Sequence, residues 1–219
     1  MRSLILSAFV IGATVIAGCG SSASTETASA PEVAPLAIEA GTYVVDPSHS
    51  VLSFSVRHMG FSTVTGTFAS SEGQITIPES GIAGMSATAT VAVESISTNN
   101  ADRDGHLKSP DFFDAANHPT LTLVTKSVTP TGPNTFDLVA DLTMRGTTKE
   151  VTLTGEYFGT VVDPWGNQKI ALSAKGTVDR FDFGLNWNTL IETGELVVSR
   201  EVGLDLQVQA ALVPDQGAE

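Results

Sequence analysis

Four histidines, His49, His58, His106 and His118, are the side chains best suited to acid, base or metal chemistry near neutral pH. Their spacing argues against all three roles. Nine positions separate His49 from His58, so an unbroken strand points them to opposite faces. His106 and His118 fall in a connection rich in helix-capping residues, outside any His, Cys or carboxylate cluster with metal-ligand spacing. Asp102, Arg103 and Asp104 read as a solvated helix face with a salt bridge. The sequence has no Gly-rich phosphate loop and no nucleophile elbow. We therefore expect no catalytic residue, no metal site and no cofactor.

Cys19 carries a different chemistry. It is the single cysteine of 219 residues, which excludes a disulfide within the chain. Ahead of it, Arg2 supplies a positive end, Leu4 to Val15 is apolar and uncharged, and Ile16-Ala17-Gly18 are of the kind that precedes a signal cleavage site. The apolar run is too short to span a bilayer, which takes about 20 residues. The order apolar, Ala, Gly, Cys looks like the lipobox of bacterial lipoproteins. It predicts a signal peptide over 1–18 and a lipidated Cys19 that anchors the exported chain to a membrane of the cell envelope. The alternative is a secreted protein with a free thiol. Residues 19–40 are rich in Ser, Ala, Thr, Pro and Glu with no apolar period, the composition of a flexible tether. Gly20 in place of an Asp favours the outer membrane in a cell that has one.

The elements that must position any site begin near Thr42, where apolar residues recur with a period of two. Val202, Leu204, Leu206, Val208 and Ala210 share one face. Phe136, Leu138, Ala140, Leu142 and Met144 share another, and Ile170 to Val178 repeat the pattern. Turn residues at 130–134, 145–146 and 163–167 join neighbours as antiparallel hairpins. Eight strands are predicted near 44–58, 62–77, 84–96, 119–129, 135–144, 147–162, 168–180 and 200–213. One or two short helices are predicted over 100–116, between strands 3 and 4. Closure removes sheet edges, so the fold class is all-β, an extended eight-stranded antiparallel β-barrel. The barrel domain covers 41–213, with a tail over 214–219. Small inward residues, Gly66, Ala87, Ala89, Ala140, Gly155, Ala174 and Gly176, predict an unfilled apolar lumen. The alternative is small and large residues alternating to pack a tapered barrel solid.

Candidate ligand contacts follow from the inward faces. Phe54, Val56, Phe68, Leu142, Met144, Phe183, Trp187, Leu204 and Leu206 are expected to line the lumen, and Phe112 and Phe113 to plug or cover one end. His58 shares a face with Leu52, Phe54 and Val56 and is placed to meet a ligand's polar end. His106 is expected either to touch the ligand or to bond a nearby backbone group or carboxylate. The net charge of −13 opposes binding to nucleic acid.

Several local sequences, in order, resemble one family. Asp46-Pro47-Ser48-His49-Ser50, Phe54-Ser55-Val56-Arg57-His58-Met59-Gly60 and Gly66-Thr67-Phe68 are followed by Arg103-Asp104-Gly105-His106-Leu107-Lys108-Ser109-Pro110-Asp111-Phe112-Phe113-Asp114-Ala115. Asp141 to Lys149, Asp163-Pro164-Trp165-Gly166 and Arg180 to Leu185 complete the series. Together they are similar to the YceI-like polyisoprenoid-binding family over about 41–213. The resemblance implies a lipocalin-like barrel whose lumen takes an isoprenoid or similar amphiphile, usually in the periplasm or secreted. Gly105 departs from the usual pattern and loosens a helix by about 1 kcal/mol relative to Ala. The function expected is binding of a polyisoprenoid, isoprenoid quinone or fatty-acyl amphiphile for sequestration or transport. The competing functions are an enzyme acting on such a lipid through His58 and the 103–106 cluster, and a ligand-free structural or stress-response envelope protein.

Overall fold

Period-two burial builds the sheet. The computed structural model describes residues 38–69, 71–190 and 196–214. The expected signal peptide, Cys19, most of the tether and the tail from 215 lie outside the described residues. The elements in chain order are β1 (Gly41–Val45), β2 (Val51–His58), β3 (Ser62–Phe68), β4 (Ser71–Ile77), β5 (Ser86–Ala92), β6 (Ile96–Ser97), α1 (Ala101–Lys108), β7 (Thr120–Pro130), β8 (Thr135–Met144), β9 (Thr147–Val162), β10 (Gln168–Asp179) and β11 (Val198–Leu212). In β8 every second residue from Phe136 to Met144 is buried.

All pairings are antiparallel, in the order β1-β4-β5-β7-β8-β9-β10-β11-β2-β3-β6. The ring closes where β1 meets β11 with Tyr43 opposite Leu212. The result is a closed antiparallel barrel eight strands around, as the alternation predicted.

Three of the eight strands are interrupted, where the sequence suggested continuous runs. The first is split at 46–50 into β1 and β2, both laid along β11, with Val45 opposite Ala210 and Val51 opposite Gln207. Turn chemistry causes the break. The Asp46 carboxylate accepts from the amide and hydroxyl of Ser48 and pairs with His49 Nδ1 at 2.8 Å, and Pro47 cannot donate to a ladder. The second strand divides into β3 and β4, and the third into β5 and β6 around a 3₁₀ turn at Val93–Ser95. The connection to β7 holds one helix, not two. Asn100 caps α1 by accepting from the Arg103 amide at 2.9 Å, and turns follow from Ser109.

Hairpin geometry gives the barrel two unlike ends. The β4–β5, β7–β8 and β9–β10 turns, the start of β1 and the end of β11 form the base. The β2–β3 and β8–β9 turns and α1 form the opposite end, the mouth. The base is packed solid around Tyr43, Ile77, Ile82, Phe136, Leu153 and Ile170, each at most 2% exposed. Here the inference from small residues is corrected. A Cβ on Gly155 would stand 2.2 Å from the Phe136 ring, and one on Gly176 2.6 Å from Leu153, so these glycines receive neighbouring side chains and leave no void.

Candidate functional site

Above that packed base lies a cavity of about 390 Å³, within the range of roughly 300–1,000 Å³ usual for ligand pockets. Its wall comes mainly from β2, β7, β11 and the interrupted strands β3 to β5, with α1 and the loops around Phe112 and Trp187 over the mouth. Aliphatic and aromatic side chains dominate it, so it offers an apolar chain an escape from water.

The alternating faces deliver most of the expected residues to this one space. Leu52, Phe54, Val56 and His58 line it from β2, Phe68 from β3, Leu142 and Met144 from β8, and Leu204 and Leu206 from β11. His106, Phe112, Phe113 and Trp187 line it at the mouth. Phe54 and Phe68 have ring centroids 5.7 Å apart, and Phe113 stands edge-on to Phe68 at 6.0 Å. A second aromatic group joins His106 to Phe112 and to Trp187, at 5.0 Å in both cases. His106 Nε2 also pairs with Asp111 at 3.0 Å, so it meets a carboxylate and borders the cavity at once. Phe183 is placed differently from the expectation. It is 1% exposed and belongs to the core, off the cavity wall. It lies in a 3₁₀ turn, Arg180–Phe183, whose period of three breaks the strand parity.

The polar side chains at the mouth act on backbone. Arg103 donates from Nε to Thr98 Oγ1 at 2.7 Å and from Nη2 to Thr98 O at 2.8 Å. The Thr98 hydroxyl and amide in turn donate to Asp104, and these hydrogen bonds hold the Asp104 carboxyl below the usual carboxylate range. The sequence places Arg103 on a solvated salt-bridge face. It is exposed, but it ties α1 to the strand end and borders the cavity. Arg145, in a turn with Gly146 where both residues have positive φ, donates to Phe112 O at 3.0 Å and Gly184 O at 3.1 Å.

Arg180 is a cavity residue that strand parity points to, although its charge masks the signal. It continues the inward series Ile170 to Val178 by two, lines the cavity, and is 3% exposed. Its guanidinium donates to the carbonyls of Leu185, Trp187 at 2.9 Å, Val198 at 3.2 Å and Ser199 at 2.9 Å. Burial holds its pKa below arginine's ordinary value, and the nearby Asp179 carboxylate opposes that shift. One buried cation thus organises the loop carrying Trp187 and the start of β11. Among the described residues, no three His, Cys, Asp or Glu side chains are grouped to hold a metal ion.

A closed antiparallel barrel with one packed end and one apolar cavity defines a lipocalin-like architecture. Residues 43–210 match the YceI-like domain, and the chain belongs to that family. It is similar to the protein YceI of Escherichia coli O17:K52:H18, 34% identical over 172 residues that cover 78% of this chain and 86% of that one. Among solved structures it resembles the Campylobacter jejuni YceI protein, with TM-score 0.63 and 26% identity over 72% of this chain and 90% of that one. A polyisoprenoid-binding domain from Saccharophagus degradans shares the fold at TM-score 0.56 and 17% identity, over 80% of this chain and all of that one.

Proposed function

We propose that this chain is an envelope lipoprotein, exported and anchored through lipidated Cys19, that holds the hydrocarbon part of one amphiphile in its barrel for sequestration or transport. The observation that carries this reading is the apolar cavity of about 390 Å³ beneath a mouth lined by His58, Arg103, His106 and Arg180. Each methylene moved from water into such a wall gains about 0.8 kcal/mol. Chain length therefore supplies most of the affinity, and the polar mouth orients the head group. The Saccharophagus degradans domain of the same fold is a polyisoprenoid-binding one, which supports a polyisoprenoid, an isoprenoid quinone or a fatty-acyl amphiphile as the ligand class here. Arg103, His106 and Arg180 bond neighbouring side chains and backbone carbonyls, an arrangement suited to shaping the mouth around a ligand.

The test is extraction of the protein purified from its native host, followed by mass spectrometry of the solvent phase. We expect one lipid per chain. Repeated recovery of lipid-free protein that also fails to take up added isoprenoid overturns the proposal. Conversion of the bound lipid over time, abolished by His58→Gln and His106→Gln while binding persists, would show an enzyme instead.

A further inference from the structure

The β9–β10 hairpin at the base exposes Phe158, Val161, Val162 and, at its tip, Trp165, which is 81% exposed. The tip is fixed. Asp163 Oδ1 accepts from the amides of Trp165 and Asn167 at 2.9 Å each, and Gly166 at φ 87° donates to Asp163 O at 3.0 Å. A tight turn therefore holds an indole out in water. The outer face beside it continues the patch. Val161 is opposite Lys169, Lys169 opposite Ala211, and Ala211 opposite Val44, which is also exposed. Lys169 stands 3.5 Å from both the Asp46 and Asp163 carboxylates, which hold its mostly covered side chain in place. An aromatic tip beside exposed apolar side chains is the composition of membrane-interface anchors.

The chain itself names the surface that covers this patch. β1 begins at the same base, and Cys19 stands 21 positions before Ala40. A tether of the composition read from the sequence has a root-mean-square span of about 25 Å at that length. The mouth lies farther off: a strand as long as β9 runs about 50 Å, or roughly 40 Å along the axis after barrel tilt. We propose that the base docks on the bilayer that holds lipidated Cys19, with Trp165, Phe158 and Val161 entering its interfacial layer and the mouth directed away. This rests on the lipid anchor proposed above.

Met59 and Phe61 are exposed at the mouth and give the experiment its opposite arm. Two single-tryptophan forms of the full chain are recovered from bacterial membranes and reconstituted into phosphatidylethanolamine and phosphatidylglycerol vesicles with brominated acyl chains. One retains Trp165 and carries Trp187→Phe. The other carries Trp165→Phe, Trp187→Phe and Phe61→Trp, so that it reports the mouth. We expect bromine to quench Trp165 at least about twofold more than the tryptophan at position 61, as for an interfacial indole. The intact mass of the same samples reports the lipid on Cys19. A missing lipid refutes the anchor and this docking with it. With the lipid present, equal quenching, or stronger quenching at position 61, overturns the docking alone.

Discussion

The ring of Phe54 lies across Gly66 so closely that a Cβ built on the glycine would stand 2.3 Å from the phenylalanine Cζ. Phe136 and Gly155 stand in the same relation, at 2.2 Å, within the packed base. The two pairs differ in what lies behind the ring. Phe54 borders the cavity and has somewhere to go, whereas Phe136 is 2% exposed in the core. Gly66→Ala should turn Phe54 into the cavity and reduce bound lipid severalfold, with a stability loss of about 1 kcal/mol. Gly155→Ala should cost about 3 kcal/mol and leave the lipid per folded chain unchanged. Denaturant unfolding and lipid extraction of both variants check this, and an equal effect on lipid content would contradict it.

Removing the Arg180 guanidinium takes one donor from each of four carbonyl oxygens, of which Val198 O still accepts from Asn188 Nδ2 at 2.6 Å. Arg180→Met is expected to destabilise the protein by at least about 3 kcal/mol, since buried polar groups stripped of a charged partner lose heavily. Arg180→Lys should recover little, because an ammonium cannot span carbonyls that a planar fork reaches together. Urea titration of the two variants is the measurement. Near-wild-type stability in the lysine variant would mean that charge, rather than the fork, matters.

Helix α1 has room for a side chain at Gly105, where an added Cβ meets nothing within 4 Å. Gly105→Ala should stabilise the helix by up to about 1 kcal/mol. Because α1 borders the mouth, amide exchange over 101–108 should slow and lipid dissociation should slow with it. Faster exchange in the alanine variant would refute the prediction.

Acid should loosen the α1 corner and, at the base, the β9–β10 turn. The Asp104 carboxyl is lowered first by the hydrogen bond from the Thr98 hydroxyl, and Asp163 by that from the Asn167 side chain. A carboxyl with a folded pKa below its unfolded value of about 3.9 adds stability that is present above that value and is lost as pH falls through the folded one. Thermal midpoints should therefore hold steady from pH 7 to about 5 and fall below about 4. Asp104→Asn, which keeps an acceptor but cannot titrate, should melt lower at neutral pH and lose less on acidification. An unchanged pH slope in that variant would exclude the Asp104 contribution.

Strand alternation made the barrel legible, because one wet face and one buried face impose a period that side chains must follow. It also placed Leu142, Met144, Leu204 and Leu206 on the wall around the cavity. What it hid were departures from extended backbone. Phe183 lies off the wall because it sits past the strand end in a 3₁₀ turn, where strand parity says nothing; Asp179 heads that turn by accepting from the Phe181 amide at 2.9 Å. Arg180 keeps the parity, but a charge is not expected inside; the carbonyls that satisfy it come from positions 5 to 19 residues away. The break after β1 was written in Asp46-Pro47-Ser48, but the apolar alternation on either side concealed it. The two fillings of the lumen that the sequence left open both occur, one above the other.

The interrupted strands have a mechanical consequence. The pieces β1 to β5 all lend side chains to the cavity wall, whereas the long unbroken β9 lends none. A hoop with its seams gathered along one arc yields there first. Under the function proposed above, a guest of larger girth is expected to spread those seams before it disturbs the long ladders of β8, β9 and β10.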